Sequence, residues 1–249
     1  QTEAAVEITK PATGYDIRLT GAQVDASSFF EETVAAPTDE EAAARVTPLT
    51  VTMQVDRLLT GANKKLEAVR FHLKRNEFQR IEQLEMDAMA GGQPLVLRYM
   101  PVLPTGKSLK FEAQNAGAAL DALGITSAVQ GGRLKLEGQP NLKGGGPRDL
   151  LGSVVLADFR LRDVPVLAKL LNAMSLSGIT DLLRNKGLAF KKARVRFSWT
   201  DKGQPYAQQN MRLIQLTDGQ TSGASLGLTF EGRIDNWRNI YDLNGTIIP

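Results

Sequence analysis

The segment Gly223-Ala224-Ser225-Leu226-Gly227 has the spacing of a nucleophile elbow. In such an elbow a serine sits on a sharp strand-to-helix turn and a histidine later in the chain takes its proton. Here the chain runs on as an alternating pattern from Leu226 to Ile234, and the sole histidine, His72, lies far upstream. The glycines read better as a bend or a close approach of strands. Thr105-Gly106-Lys107-Ser108 has the ending of a phosphate-binding loop, but Pro101 stands where that loop needs its first glycine. The residues that follow, Leu109 to Ala113, alternate like a strand instead of opening a helix, so the motif reads as a hairpin turn. His72 sits between Phe71 and Leu73, on the wet side of its strand, and one histidine cannot supply the ligands of an ordinary zinc site. Glu31-Glu32 and Asp39-Glu40-Glu41 fall in loop-like segments, where charge is solvated and lacks the fixed geometry of an acid–base pair. Asn244-Gly245-Thr246 has the spacing of a glycosylation acceptor, yet Asn-Gly in an alternating run is more simply a turn or bulge. The sequence therefore predicts no catalytic residue, no metal ligand and no cofactor.

Composition narrows the classes further. The 249 residues carry 30 Lys and Arg against 27 Asp and Glu, a net charge of +3 with the signs interspersed. The densest basic run, Lys191 to Arg196, alternates in part with apolar residues, as one solvated strand face does. Aromatic residues make up only 6% and do not interleave with basic ones, so nucleic acid is not expected as a partner. The chain has no cysteine, which removes disulfide scaffolds and thiolate chemistry without fixing the compartment. No run approaches the roughly 18 apolar residues of a membrane span. The chain opens on Gln1 and stops in mid-pattern, which reads as a fragment of a longer protein with any anchor outside it.

The elements that position these residues are strands. Period-two alternation places Tyr15, Ile17 and Leu19 on one face, and likewise Val51, Met53 and Val55, then Val69, Phe71 and Leu73. It recurs at Leu84 and Met86, Leu95 to Tyr99, Leu109 and Phe111, Leu134 and Leu136, and Ala193 to Trp199. Met211 with Leu213, Leu226 to Phe230, and Tyr241 to Ile247 complete the series. Residues Val155, Ala157, Phe159 and Leu161 form a further alternating set. Short turn signals between the runs predict hairpins and an antiparallel meander of roughly a dozen strands. Helices are few. Asn115 and Gly124 bracket a short one. Asp163 and Pro165 open a Leu-rich helical pair over about 164–186, with Val166, Leu167, Leu170, Leu171 and Met174 as its stripe. The acidic segment 36–48 reads as a loop of no assigned role. The stretch 141–149 is the best internal boundary, giving an N-terminal part, 1–140, and a C-terminal part, 141–249, that share one continuous sheet.

So many strands with one apolar face expose more greasy area than a few short helices can cover. The sheet must close, stack into a sandwich, or curl into a trough filled by something else.

The run from Leu151 to Phe190 resembles the AsmA-like family of bacterial envelope proteins, in particular its large YhdP-type members. The stretches Asn115–Gly138 and Thr221–Pro249 resemble the segments that precede and follow it there, and Gly14–Phe30 extends the likeness toward the N-terminus. The resemblance implies a mainly β fold, a long curled antiparallel sheet that forms a taco-like groove, with the helical pair embedded in it. It implies a periplasmic location with an inner-membrane anchor outside the chain, and phospholipid acyl chains as the ligand conducted toward the outer membrane. It carries no catalytic residues. On that reading Phe111, Leu134, Leu136, Phe159, Leu161, Val195, Phe197, Leu226, Leu228 and Phe230 line the groove, although each reads equally well as ordinary core packing. The alternative is a non-catalytic β-sandwich that serves as a structural or assembly module of the envelope.

Overall fold

The computed structural model of the protein describes residues 2–28, 45–78, 80–102, 106–141, 149–164, 183, 186–201, 212–223, 226–235 and 240–248. The strands are β1 (Glu3–Thr9), β2 (Tyr15–Asp25), β3 (Leu49–Gly61), β4 (Lys64–Arg75), β5 (Ile81–Ala90), β6 (Gln93–Pro101) and β7 (Lys107–Ala113). After a helix, α1 (Ala116–Ala122), come β8 (Val129–Pro140), β9 (Leu150–Leu161), β10 (Leu188–Asp201), β11 (Arg212–Gly223), β12 (Gly227–Asp235) and β13 (Ile240–Ile248). All thirteen strands belong to one sheet in sequence order, and the sheet is not closed: β1 and β13 are its two edges.

Every neighbouring pair is antiparallel except β2 and β3, which run parallel from Tyr15↔Leu49 to Asp25↔Leu59. This departs from the all-hairpin meander expected from turn signals. A parallel pair needs a crossover of about a dozen residues or more, and the connection from Ala26 to Pro48 is long enough to provide one. The acidic segment at 36–48 belongs to this crossover, although most of it lies outside the described residues. Across the expected boundary at 141–149 the ladder continues, from Val129↔Leu161 to Pro140↔Leu150. The helical pair expected over 164–186 falls almost wholly outside the described residues. Within it, Leu183 is described: it is fully buried and packs with Phe159, Leu188, Phe190 and Leu226.

The registers align the strand faces across the whole sheet. One row runs Ile8, Ile17, Val51, Leu73, Leu84, Tyr99, Leu109, Gly138, Gly152, Phe197, Leu216, Gly232 and Leu243, one residue from each strand. Every member is apolar or glycine. The adjacent row on the other face runs Glu7, Arg18, Thr52, His72, Glu85, Arg98, Lys110, Glu137, Ser153, Arg196 and Thr217, and every member is polar. Because side chains alternate with period two, holding this register over so many strands gives one sheet two chemically opposite faces.

Three non-glycine residues with positive φ, Ala68, Asp158 and Asp218, break the alternation inside a strand. Ala68 (φ 49) lets the apolar set of β4 pass from Val69 to Leu66, and β3 follows from Val55 to Leu58. Asp158 (φ 54) does the same in β9. The sequence set Val155, Ala157, Phe159 and Leu161 is therefore split: Val155 pairs with Lys135 and Arg194 on the polar face, while Val154, Leu156, Phe159 and Leu161 occupy the apolar one. In β11, Ile214 lies opposite Trp199 and Ile234, while Met211 and the side chain of Leu213, the expected apolar pair, lie outside what the structure describes.

Helix α1 starts where Asn115 accepts the Ala118 amide on its side chain, an N-cap bond. It buries the small residues Ala116, Gly117, Ala119 and Ala122 against the sheet. It touches β4, β5, β8 and β9, and Lys64 on β4 pairs with Asp121 of the helix at 3.1 Å.

On the apolar face Phe197 lies across the glycines of its neighbours. A Cβ at Gly152 would come within 2.5 Å of the Phe197 ring and 2.1 Å of the Glu137 carbonyl oxygen. Only a residue without Cβ permits that approach. Gly152→Ala is expected to lower stability by about 2 kcal/mol, read as a fall in the urea midpoint. Leu151→Ala, exposed on the opposite face, is expected to stay within about 0.5 kcal/mol.

Candidate functional site

The feature with the greatest functional content is the apolar face itself. Next to the thirteen-membered row run two others. Val6, Leu19, Met53, Phe71, Met86, Leu97, Phe111, Leu136, Val154 and Val195 form the second. Ala88, Leu95, Ala113, Leu134, Leu156, Ala193, Thr221, Leu228 and Ile247 form the third. Near α1 this face is closed by packing, since Val55, Leu58, Leu66, Val69, Ala88, Ala90, Leu95 and Ala113 are all buried in one cluster with the helix. Away from the helix the face is only half-covered: Val51, Leu73, Leu84, Tyr99 and Leu109 remain partly accessible. At the β1 edge Val6 and Ile8 are more than half exposed, at 53% and 61%.

All ten residues expected to line a groove lie on this face, but they divide into two groups. Phe111, Leu134, Phe159, Phe197 and Leu226 are buried and act in packing. Phe159 stacks on Phe190 with ring centroids 5.4 Å apart, and Leu226 joins the same cluster. Leu136, Leu161, Val195, Leu228 and Phe230 are half-buried and present surface that another molecule can reach. The alternation also placed Phe71, Leu97, Tyr99 and Leu109 on apolar faces, and the structure sets Phe71 and Leu97 in the row of Phe111 and Leu136, and Tyr99 and Leu109 in the adjacent row. Only cross-strand register, which alternation within a strand cannot supply, joins them to the site.

The motifs that could have done chemistry sit in ordinary β surroundings. Gly223 ends β11 and Gly227 opens β12, so the elbow-like motif joins two strands, with Ser225 itself outside the described residues. Gly106 is followed at once by β7. His72 belongs to the polar row, where its Nδ1 lies 3.3 Å from the Thr52 hydroxyl. Asn244-Gly245-Thr246 lies within β13, paired with β12. Among the described residues no three His, Asp or Glu side chains converge as metal ligands.

The polar face is held by charge pairs between and along strands. Arg98 binds both Asp87 carboxylate oxygens at 2.7 Å and lies 3.5 Å from Glu85. Lys110 pairs with Glu112 and Lys135 with Glu137. Asp158, displaced outward by its positive φ, receives Lys191 and Arg133, each at 2.6 Å, and these hydrogen bonds hold its pKa below the ordinary carboxylate value.

Comparison of the chain with protein-family models, with curated proteins and with solved structures found no match.

Two outcomes follow for these side chains. Phe159→Ala is expected to cost about 4 kcal/mol, whereas Leu136→Ala costs about 1.5 kcal/mol because much of Leu136 already faces out of the core. Denaturant unfolding of the two variants gives the order. The depressed Asp158 pKa adds stability that is fully present above the ordinary carboxylate pKa and is lost as pH falls through the lower folded value. Asp158→Asn is therefore expected to flatten that part of the acid limb when stability is plotted against pH.

Proposed function

We propose that this chain is a segment of a periplasmic bridge, anchored in the inner membrane through parts outside it, that binds phospholipids and conducts them along its apolar face toward the outer membrane. The observation that supports this reading most is the row from Ile8 to Leu243, apolar or glycine in every one of thirteen strands of an open sheet. Helix α1, seven residues long, packs beside this row against β4, β5, β8 and β9 and leaves Val51, Leu73, Leu84, Tyr99 and Leu109 of the row partly accessible. An open sheet with that much oily surface is stable in water when a guest covers the remainder, and each methylene removed from water contributes about 0.8 kcal/mol.

The groove is the curled form of this sheet. Contacts of α1 with both β4 and β8, strands four apart in the sheet, support a curl that brings those strands toward one another at the helix end. The acyl chains lie along Leu136, Val195, Leu228 and Phe230, while headgroups stay at the open side. No residue has to recognise a particular lipid, because apolar solvation is non-directional. The resemblance of residues 151–190 to the AsmA-like family, read from the sequence, is the basis for the proposed periplasmic location.

The test is native mass spectrometry of the chain purified from bacteria by gentle lysis. Phospholipid is expected to co-purify. Leu136→Glu, which places a charge on the half-buried row, is expected to remove the lipid while far-ultraviolet circular dichroism stays that of the parent. A parent chain free of lipid would overturn the proposal. Unfolding by Leu136→Glu would show that the row is a sealed core, as in a packed assembly module.

A further inference from the structure

The face opposite the apolar one carries a block of six cations, four of them ion-paired to three acids, which leaves a local excess of positive charge. On β10 the side chains of Lys192, Arg194 and Arg196 point to the polar face, two residues apart in sequence. On β8, Arg133 and Lys135 occupy the matching rows: Arg133↔Ala157↔Lys192 and Lys135↔Val155↔Arg194. Between the two strands β9 contributes Ala157, Val155 and Ser153 to these rows, a strip of uncharged side chains between two columns of cations, with Asp158 at one end of it bonded to both Arg133 and Lys191. From strand geometry the columns stand about 10 Å apart, with about 7 Å between cations along each. Lys191 extends the block at one end.

Several other cations on this face are answered across or along the strands, as in Arg18–Glu7, Lys74–Glu82 and Arg98–Asp87. Acids within and beside the block pair with four of its cations: Asp158 with Lys191 and Arg133, Glu137 with Lys135, and Asp218 with Arg196, while Glu112 lies directly opposite Lys135. Lys192 and Arg194 are exposed and make no ion pair among the described residues. Farther along the same face, two rows beyond Arg194, Leu151 is 46% exposed.

We infer that this face docks on the surface of a membrane rich in anionic phospholipid. Basic side chains near such a surface are attracted by its negative potential. The block is a two-dimensional array, matched to a field of phosphates and not to a single threaded polyanion. Its floor holds no aromatic ring on which a nucleic-acid base could stack. Leu151 stands where an apolar side chain can enter between headgroups. The site is separate from the apolar face, so it goes beyond the transport reading and stands or falls independently of it.

Flotation of the full chain with vesicles of phosphatidylglycerol and phosphatidylcholine tests the inference. The chain is expected to float with these vesicles, not with phosphatidylcholine alone, and to detach near 1 M salt, where the Debye length is about 3 Å. Lys192→Gln with Arg194→Gln is expected to weaken binding about 30-fold, from about 1 kcal/mol per basic side chain, with an unchanged thermal melt. Leu136→Glu, on the other face, is expected to leave docking intact. Equal binding to neutral vesicles, or no effect of the double substitution, would overturn the inference. Binding to heparin or single-stranded DNA without binding to vesicles would overturn it in favour of a linear polyanion.

Discussion

The structure depends on cross-strand register. Period-two alternation gives each strand one oily and one wet side, but only alignment between strands makes those sides into two continuous faces. A slip of one residue at any strand would push Phe71, Leu97 or Phe111 among the charges and bring Arg98 or Lys110 onto the apolar face. The register is therefore fixed by the cost of burying charge as much as by the gain from burying hydrocarbon. The paired shifts at Val55/Val69 and Leu58/Leu66 show this directly: both strands change phase together, so the faces never mix.

Such a sheet has a hydrophobic problem that its helix solves at one end. The small side chains of α1 let it lie close on the strands, and the cluster there reaches from Val24 to Leu134. Farther along, Phe197 resting over Gly138 and Gly152 covers part of the face by laying an aromatic ring across residues that have no side chain. Phe230 does the same at Gly219, where a Cβ would meet the ring at 2.6 Å. These local coverings leave Val51, Leu73, Leu84, Tyr99, Leu109, Leu136 and Val195 half-buried. On the reading proposed above, the guest lies there.

Much of this was legible in the sequence. The alternation of Val51 to Val55, Leu95 to Tyr99 and Ala193 to Phe197 predicted strands whose faces the structure keeps. Asn115 and Gly124 bracketed the one described helix. What could not be read has specific physical causes. An Asp at positive φ is rare for a non-glycine residue inside a strand, so nothing in Val155-Leu156-Ala157-Asp158-Phe159 announced the change of face. The parallel β2–β3 pair depends on where the chain goes between Ala26 and Pro48, which turn signals do not encode. Alternation also cannot separate Phe111, which is buried, from Leu136 directly opposite, which is not. That difference arises from where α1 and the neighbouring strands lie.

The central claim is that acyl chains occupy the apolar face, and adjacent residues on opposite faces test it most directly. A photo-crosslinking phenylalanine analogue placed at Leu97, and separately at Val96, would be irradiated in living bacteria and the adducts identified by mass spectrometry. Side chains at these positions point to opposite sides of β6. The account predicts phospholipid adducts at position 97 and none at position 96. Adducts at neither position, or equally at both, would contradict it.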